Sequence, residues 1–308
     1  MTKTKFAALI LLIGASWPGL AAAASAPNGI TLSPFEQSVK IQAGDVAKSF
    51  QLKLTNHTKS LQELRLTVRD FGSLNQTGGI ALKGSNTYTK KYGLTDWMSL
   101  EKDVVDLNAG ETARVLVTIN NQSSLTPGGH YGAIIASVNS LNQSPANNVV
   151  INQQLVALVL VDKVGGERYA MKLTDETNNG NWFHLPTQAT LTFQNAGNVQ
   201  VVPRGLVKLV GPTGSVVAQG VINTGSAFIL PETFRQFSVP LQKVASAHPW
   251  PGLYHLEVDY RYDGISNHAT KRYFVHFIDL GLYLVLAVML VILFVFRRPI
   301  LRRLKARQ

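Results

Sequence analysis

Histidine is the side chain best suited to proton transfer near neutrality and to metal binding. This chain has seven: His57, His130, His184, His248, His255, His268 and His276. None stands two or four residues from another, and the H-E-x-x-H spacing that sets two imidazoles on one helix face is absent. His255 falls beside Tyr254 in an alternating segment, which places it on the solvated face of a sheet. Three acids crowd together at Glu101, Asp103 and Asp106. Paired carboxylates suit a glycosidase or a calcium site, but this run carries Lys102 and two valines and lacks a glycine turn, so it reads as a solvated strand edge. The G-x-S-x-G elbow, the phosphate loop G-x-x-x-x-G-K-[ST] and the dinucleotide pattern G-x-G-x-x-G are missing. The turn-rich GPTGS at 211–215 lies between strand patterns with no helix behind it. With no cysteine, thiol catalysis, Cys-ligated zinc and iron–sulfur chemistry are excluded. The expectation is a non-enzyme with no cofactor and no metal.

Binding is the remaining chemistry. The irregular segment from Asp70 to Trp97 holds Tyr88, Lys90, Lys91 and Tyr92, where tyrosine rings could stack on sugars while lysines pair with an anionic polymer. The competing reading is a long connection, with Trp97 filling the core. The sequons at Asn56, Asn75, Asn121 and Asn142 mark exposed turns.

The elements that must position such residues are strands. Phe50, Leu52 and Leu54 alternate, as do Leu64, Leu66 and Val68, and then Ala113, Val115, Val117 and Ile119. HYGAIIASV and an apolar run from Val149 to Val161 follow. After DKVGGE at 162–167 a second cycle begins: Ala189, Leu191 and Phe193; Gly205, Val207 and Leu209; Phe237 and Val239; Tyr254, Leu256, Val258, Tyr260 and Tyr262; then Tyr273, Val275 and Phe277 opposite Arg272, Phe274 and His276. Gly, Asn and Pro turns separate the runs. The halves echo each other in LTNHT and FQNAGN, and in PGGHYGAII and PGLYHLEV, where the tyrosine can serve as a corner anchor with its hydroxyl tied to backbone. The predicted fold is all-β, two tandem immunoglobulin-like sandwiches at 25–162 and 163–276.

Both ends carry topogenic signals. Lys3 and Lys5, the apolar run Phe6 to Gly14 and Ala21 to Ala24 read as a signal peptide over 1–24. Leu280 to Phe296 is seventeen residues without a charge, and extension to Phe277 gives a transmembrane helix over 277–296. Arg297, Arg298, Arg302, Arg303, Lys305 and Arg307 then make 297–308 a basic cytoplasmic tail, because Lys and Arg stay inside. The localisation that follows is the cell membrane of a bacterial envelope, single-pass, with the β domains outside. Removing the two leader lysines and the six tail residues from the net +11 leaves +3, which makes no case for nucleic acid.

SPFEQSVKIQAGDVAKSFQLKLTNHT, WMSLEKDVVDLNAGETARVLVTI and LTPGGHYGAIIASV, with NAGNVQVVPRGLVKLVGPTGSVV, ILPETFRQFSVPL and WPGLYHLEVDYRY, resemble the two domains of WxL-interacting surface proteins. That resemblance implies a non-catalytic, membrane-anchored adhesion or scaffold protein that binds cell-wall polymer, a partner surface protein or a host surface. The alternative is an envelope chaperone or assembly factor acting by β-strand addition; an envelope hydrolase or sensor is a third class.

Overall fold

The structure is a computed structural model that describes residues 29–82, 90–139, 154–245, 250–263, 268–278 and 280–305. The first half contains β1 (Ile30–Ser33), β2 (Glu36–Ile41), β3 (Ala47–Asn56), β4 (Gln62–Ser73), β5 (Ile80–Leu82), β6 (Met98–Leu100), β7 (Val104–Leu107), β8 (Thr112–Asn120), β9 (Gly128–Asn139) and β10 (Gln154–Lys163). They form two sheets, one ordered β1-β3-β8-β6 and the other β2-β10-β9-β4-β5, with β7 also paired to β4. The alternating residues turn inward as the period-2 pattern requires. Leu52, Val117, Ile119, Ile134, Val159 and Val161 fill one part of the core, and Leu54, Leu64, Leu66, Val115 and Ala136 fill the other. Trp97 packs against this core and donates its indole N–H to Ser124 Oγ at 3.0 Å.

The second half contains β11 (Met171–Asn178), β12 (Gln188–Asn195), β13 (Arg204–Val210), β14 (Val216–Ile222), β15 (Phe234–Pro240), β16 (Gln242–Lys243), β17 (Gly252–Arg261) and β18 (Ala269–Phe277). Their sheets run β11-β12-β15 and β16-β14-β13-β17-β18. Leu191, Phe193, Val207, Leu209, Val239, Tyr254, Leu256 and Val258 are buried between them. GPTGS is the hairpin between β13 and β14, with Gly214 at φ +79°, a left-handed conformation that suits glycine. The protein is therefore all-β and two-domain, with immunoglobulin-like sandwiches. Glu101, Asp103 and Asp106 are solvent-exposed, and the described residues hold no cluster of three metal-binding side chains.

The repeated Asn turns have one structural cause. Asn56 is fully buried and its Nδ2 donates to the carbonyls of Ser60, Leu107 and Asn108 at 2.8–3.1 Å, while Oδ1 accepts from Thr58. Asn195 is equally buried; its Nδ2 donates to Val199 O (2.7 Å) and Ile229 O (2.9 Å), and Oδ1 accepts from Gly197 N–H (2.8 Å). Each side chain satisfies loop carbonyls that the sheets cannot reach. The corner tyrosine reading holds for Tyr254, whose hydroxyl donates to Trp250 O at 2.6 Å.

The C-terminal element is α1 (Leu280–Lys305). It begins three residues later than expected, because Phe277 belongs to β18 and packs edge-on against Tyr254 at 5.8 Å. It also runs through Arg297, Arg298, Arg302 and Arg303 to Lys305, so those residues form its last turns; Arg307, like the leader at 1–24, lies outside the described residues. Among the described residues no helix is long and apolar enough to cross a membrane. The expected single span over 277–296 is not shown by these residues.

Replacing Asn195 with Asp keeps the volume and removes the two donors. Val199 O and Ile229 O then face a carboxylate, and equilibrium denaturation should show a loss of about 2–4 kcal/mol from the second domain. Asn195→Ser should be intermediate.

Candidate functional site: an open strand edge beside the domain junction

The chain changes sheets between β1 and β2. β1 pairs with β3 in one sheet, and β2 then pairs in parallel with β10 in the other, but only from Leu158↔Glu36 to Lys163↔Ile41. The amide of Leu158 donates to Phe35 O at 2.8 Å, and that is where the contact stops. Gln154 to Ala157 pair with β9 alone among the described residues. Because N–H and C=O of one strand residue point to the same side, and alternate along the strand, those of Gln154 and Val156 face the side that β2 does not reach. An edge with unpaired backbone groups is a template for another strand.

The side chains around this edge are apolar. Leu155 points inward against the first core, Val156 is partly exposed on the outer face, and Phe35 is 75% exposed where the chain crosses between sheets. Further along β10, Leu158 and Leu160 continue the outer row of Val156 and become covered. They join Phe71, Tyr92, Tyr131 and Ala133 of the first domain against Phe228 and Leu230 of the second. The open edge and the domain junction thus occupy successive stretches of the same strand.

Polar contacts lock that junction. Tyr131 is fully buried and donates its hydroxyl to Gln200 Oε1 at 2.7 Å; Gln200 Nε2 donates to Asp162 Oδ2 at 3.1 Å. Tyr131 thus serves as an anchor whose partner is a side chain of the other domain. Gly129 N–H donates to Asn198 O at 2.8 Å, and a Cβ on Gly128 would stand 3.0 Å from that same carbonyl. The glycines of PGG therefore admit the second domain at close range, in addition to shaping the chain. Loss of solvent pushes the Tyr131 hydroxyl well above its ordinary range, and it raises the Asp162 carboxyl to about 6. Asp162 Oδ1 is buried without a partner among the described residues.

The four candidate binding residues divide. Tyr88 lies outside the described residues, and Lys90 opens a single 3₁₀ turn, Lys90–Tyr92. Tyr92 is buried in the junction, with its hydroxyl donating to Glu232 Oε1 at 2.8 Å. Lys91 Nζ, still exposed, reaches the same oxygen at 3.0 Å and lies 5.0 Å from the Tyr92 ring centre. Those two bonds, Lys91 first and Tyr92 second, hold the Glu232 carboxyl below its usual range. Glu232 itself sits at φ +61°, fixed by its N–H donating to Asn195 O at 3.0 Å. Asp70 pins the rest of the segment: its Oδ1 accepts from the amides of Leu94 and Thr95, both at 2.8 Å. His130 is likewise committed, with its ring nitrogens 3.0 Å from Gly93 O and 2.8 Å from Thr126 O. Sequence reasoning missed Asp162, Gln200 and Glu232, whose partners are distant in the chain.

Asp162 generates a pH prediction. Its folded pKa, about 6, lies above the ordinary 3.8, so the folded state holds more protons between those values. Stability therefore falls as pH rises from about 4 to 6, by up to about 3 kcal/mol. Asp162→Asn should melt higher than the parent at pH 7.5 and alongside it at pH 4, with a flattened profile between.

No family model and no curated protein matches the chain. Solved structures do resemble it: a chain of the chaperone–tip adhesin complex of CFA/I fimbriae, at TM-score 0.44 and 11% identity, covers 80% of this chain and 98% of its own length. The class 5 fimbriae chaperone CfaA gives 0.44 and 10% over 80% and 98%. A chain of the Salmonella enterica SafA pilin–SafB chaperone complex gives 0.40 and 10% over 82% and 99%. The resemblance to WxL-interacting proteins is corrected by these findings, since the similar structures just named come from fimbrial chaperone systems. The motifs quoted for it are strand-and-turn patterns that two-domain immunoglobulin-like chains share.

Proposed function

We propose that the protein is a non-catalytic envelope protein that captures an extended segment of an exported partner at the open edge of β10. The observation that carries this reading is the halfway departure of β2. Among the described residues it leaves backbone donors and acceptors of Gln154 and Val156 without strand partners, flanked by Phe35, Leu155 and Val156. Main-chain bonds would supply affinity and alternate side chains would supply selectivity, so the partner segment is a strand with apolar residues at every second position. Pilin and adhesin subunits, the partners named for the similar structures, are candidates to try.

The protein is held to the membrane in this reading by α1. What supports an anchor is the uncharged stretch Leu280 to Phe296 and the basic residues that follow it. Phe35 and Val156 would then face outward with the first domain. A contact with wall polymer through Tyr88, Lys90, Lys91 and Tyr92 is the second reading; the exposed ammonium of Lys91 favours it, and the burial of Tyr92 restricts it.

Proline at 156 tests the strand reading. Its lost N–H would be one that faces the open side, where an edge strand tolerates proline, so the fold should persist. The full chain purified in detergent from its native membrane should carry a stoichiometric client, and Val156→Pro should reduce that client at least about tenfold, the loss expected for roughly 1.4 kcal/mol or more. Val156→Glu provides a check with the backbone donor intact. Equal client recovery from parent and both variants overturns the proposal.

A further inference from the structure

We infer that the helix-proximal end of the second sandwich seats directly in the membrane interface, with Trp182, Phe183 and Trp250 inserted among lipid headgroups. This deepens the anchor reading and rests on it. Only Ile278 and Asp279 separate β18 from α1, a reach of about 7 Å, so a spanning α1 brings this end of the sandwich to the bilayer surface. The β11–β12 connection is tied to the same place: Ile278 N–H donates to Trp182 O at 2.6 Å, and the Trp182 ring stacks on His276 at 5.7 Å and 16°. The start of β17 is there too, since Gly252 pairs with Phe277 and Leu253 with His276.

What this end exposes, on its loops and on β17 and β18, is unusual for a free surface. Trp182 is 60% exposed, Trp250 61% and Phe274 69%, with Phe183 and Leu253 also open. The three connections at this end, at 178–187, 211–215 and 244–252, contain no Asp, Glu, Lys or Arg. Exposed aromatic rings without charge suit a bilayer boundary, where an apolar ring meets lipid and its polar edge meets water. The junction end of the same domain instead presents Arg168, Glu167, Arg204 and Glu232. One end is thus built for water and for the first domain, and the other for lipid.

Depth-dependent quenching tests this in the full chain reconstituted in phosphatidylcholine vesicles. Bromine near the glycerol end of the acyl chains should quench tryptophan emission more than bromine near the tails. The Trp182→Phe/Trp250→Phe variant should lose that shallow component. Flotation of the same samples reports the anchor separately. A chain that floats, but whose shallow quenching is absent or survives in the double variant, overturns the seat alone. A chain that does not float overturns both the seat and the anchor.

Discussion

In an all-β body every backbone N–H and C=O withdrawn from water needs a partner, and this demand organises the protein more than any single side chain. Two sheets per domain satisfy it along the strands, and the loops between them need another source. Asn56 and Asn195 supply it from full burial, each bridging carbonyls on neighbouring loops. The same demand identifies where the molecule is incomplete. The first half of β10 has a strand on one side only among the described residues, so the fold itself specifies the chemistry of what would bind there.

The domain junction depends on the same accounting. Asn195 O accepts from Glu232 N–H and holds that residue in a left-handed conformation, and Glu232 then receives Lys91 and Tyr92 from the other domain. A loop-stitching asparagine in one domain thus fixes a carboxylate that the other domain uses. Asp162 is the less comfortable member: it is largely withdrawn from water, and among the described residues it gains one hydrogen bond, from Gln200. Its carboxyl is consequently held closer to neutral than an ordinary aspartate. Because β10 carries Asp162 at one end and the open edge at the other, that edge and the domain packing share one strand.

The two ends of the molecule are differently constructed. Apolar side chains on the first domain flank a strand edge, where hydrogen-bonding capacity lies alongside them. Those at the base of the second domain lie on uncharged loops and on the last strand, beside the start of α1. Exposed apolar residues next to unpaired backbone suit a peptide; exposed aromatics without it suit lipid.

Much of this was determined by local sequence. Period-2 alternation in segments such as Ala113 to Ile119 and Tyr254 to Tyr260 dictated inward faces, because strand geometry sends neighbouring side chains to opposite sides. Turn residues marked the hairpin at 211–215 for an equally local reason. The Asn repeats and the Pro-Gly-Tyr echo also pointed to two similar domains, although the motifs were too generic to fix the family. Tertiary structure alone decided that Tyr131 would bond across to Gln200, that Tyr92 would be buried against the second domain while Lys91 stayed exposed, and that β2 would abandon β10 at Phe35. Each of those outcomes joins residues more than sixty positions apart. Alternation specifies which way a side chain faces and is silent about what comes to stand opposite it.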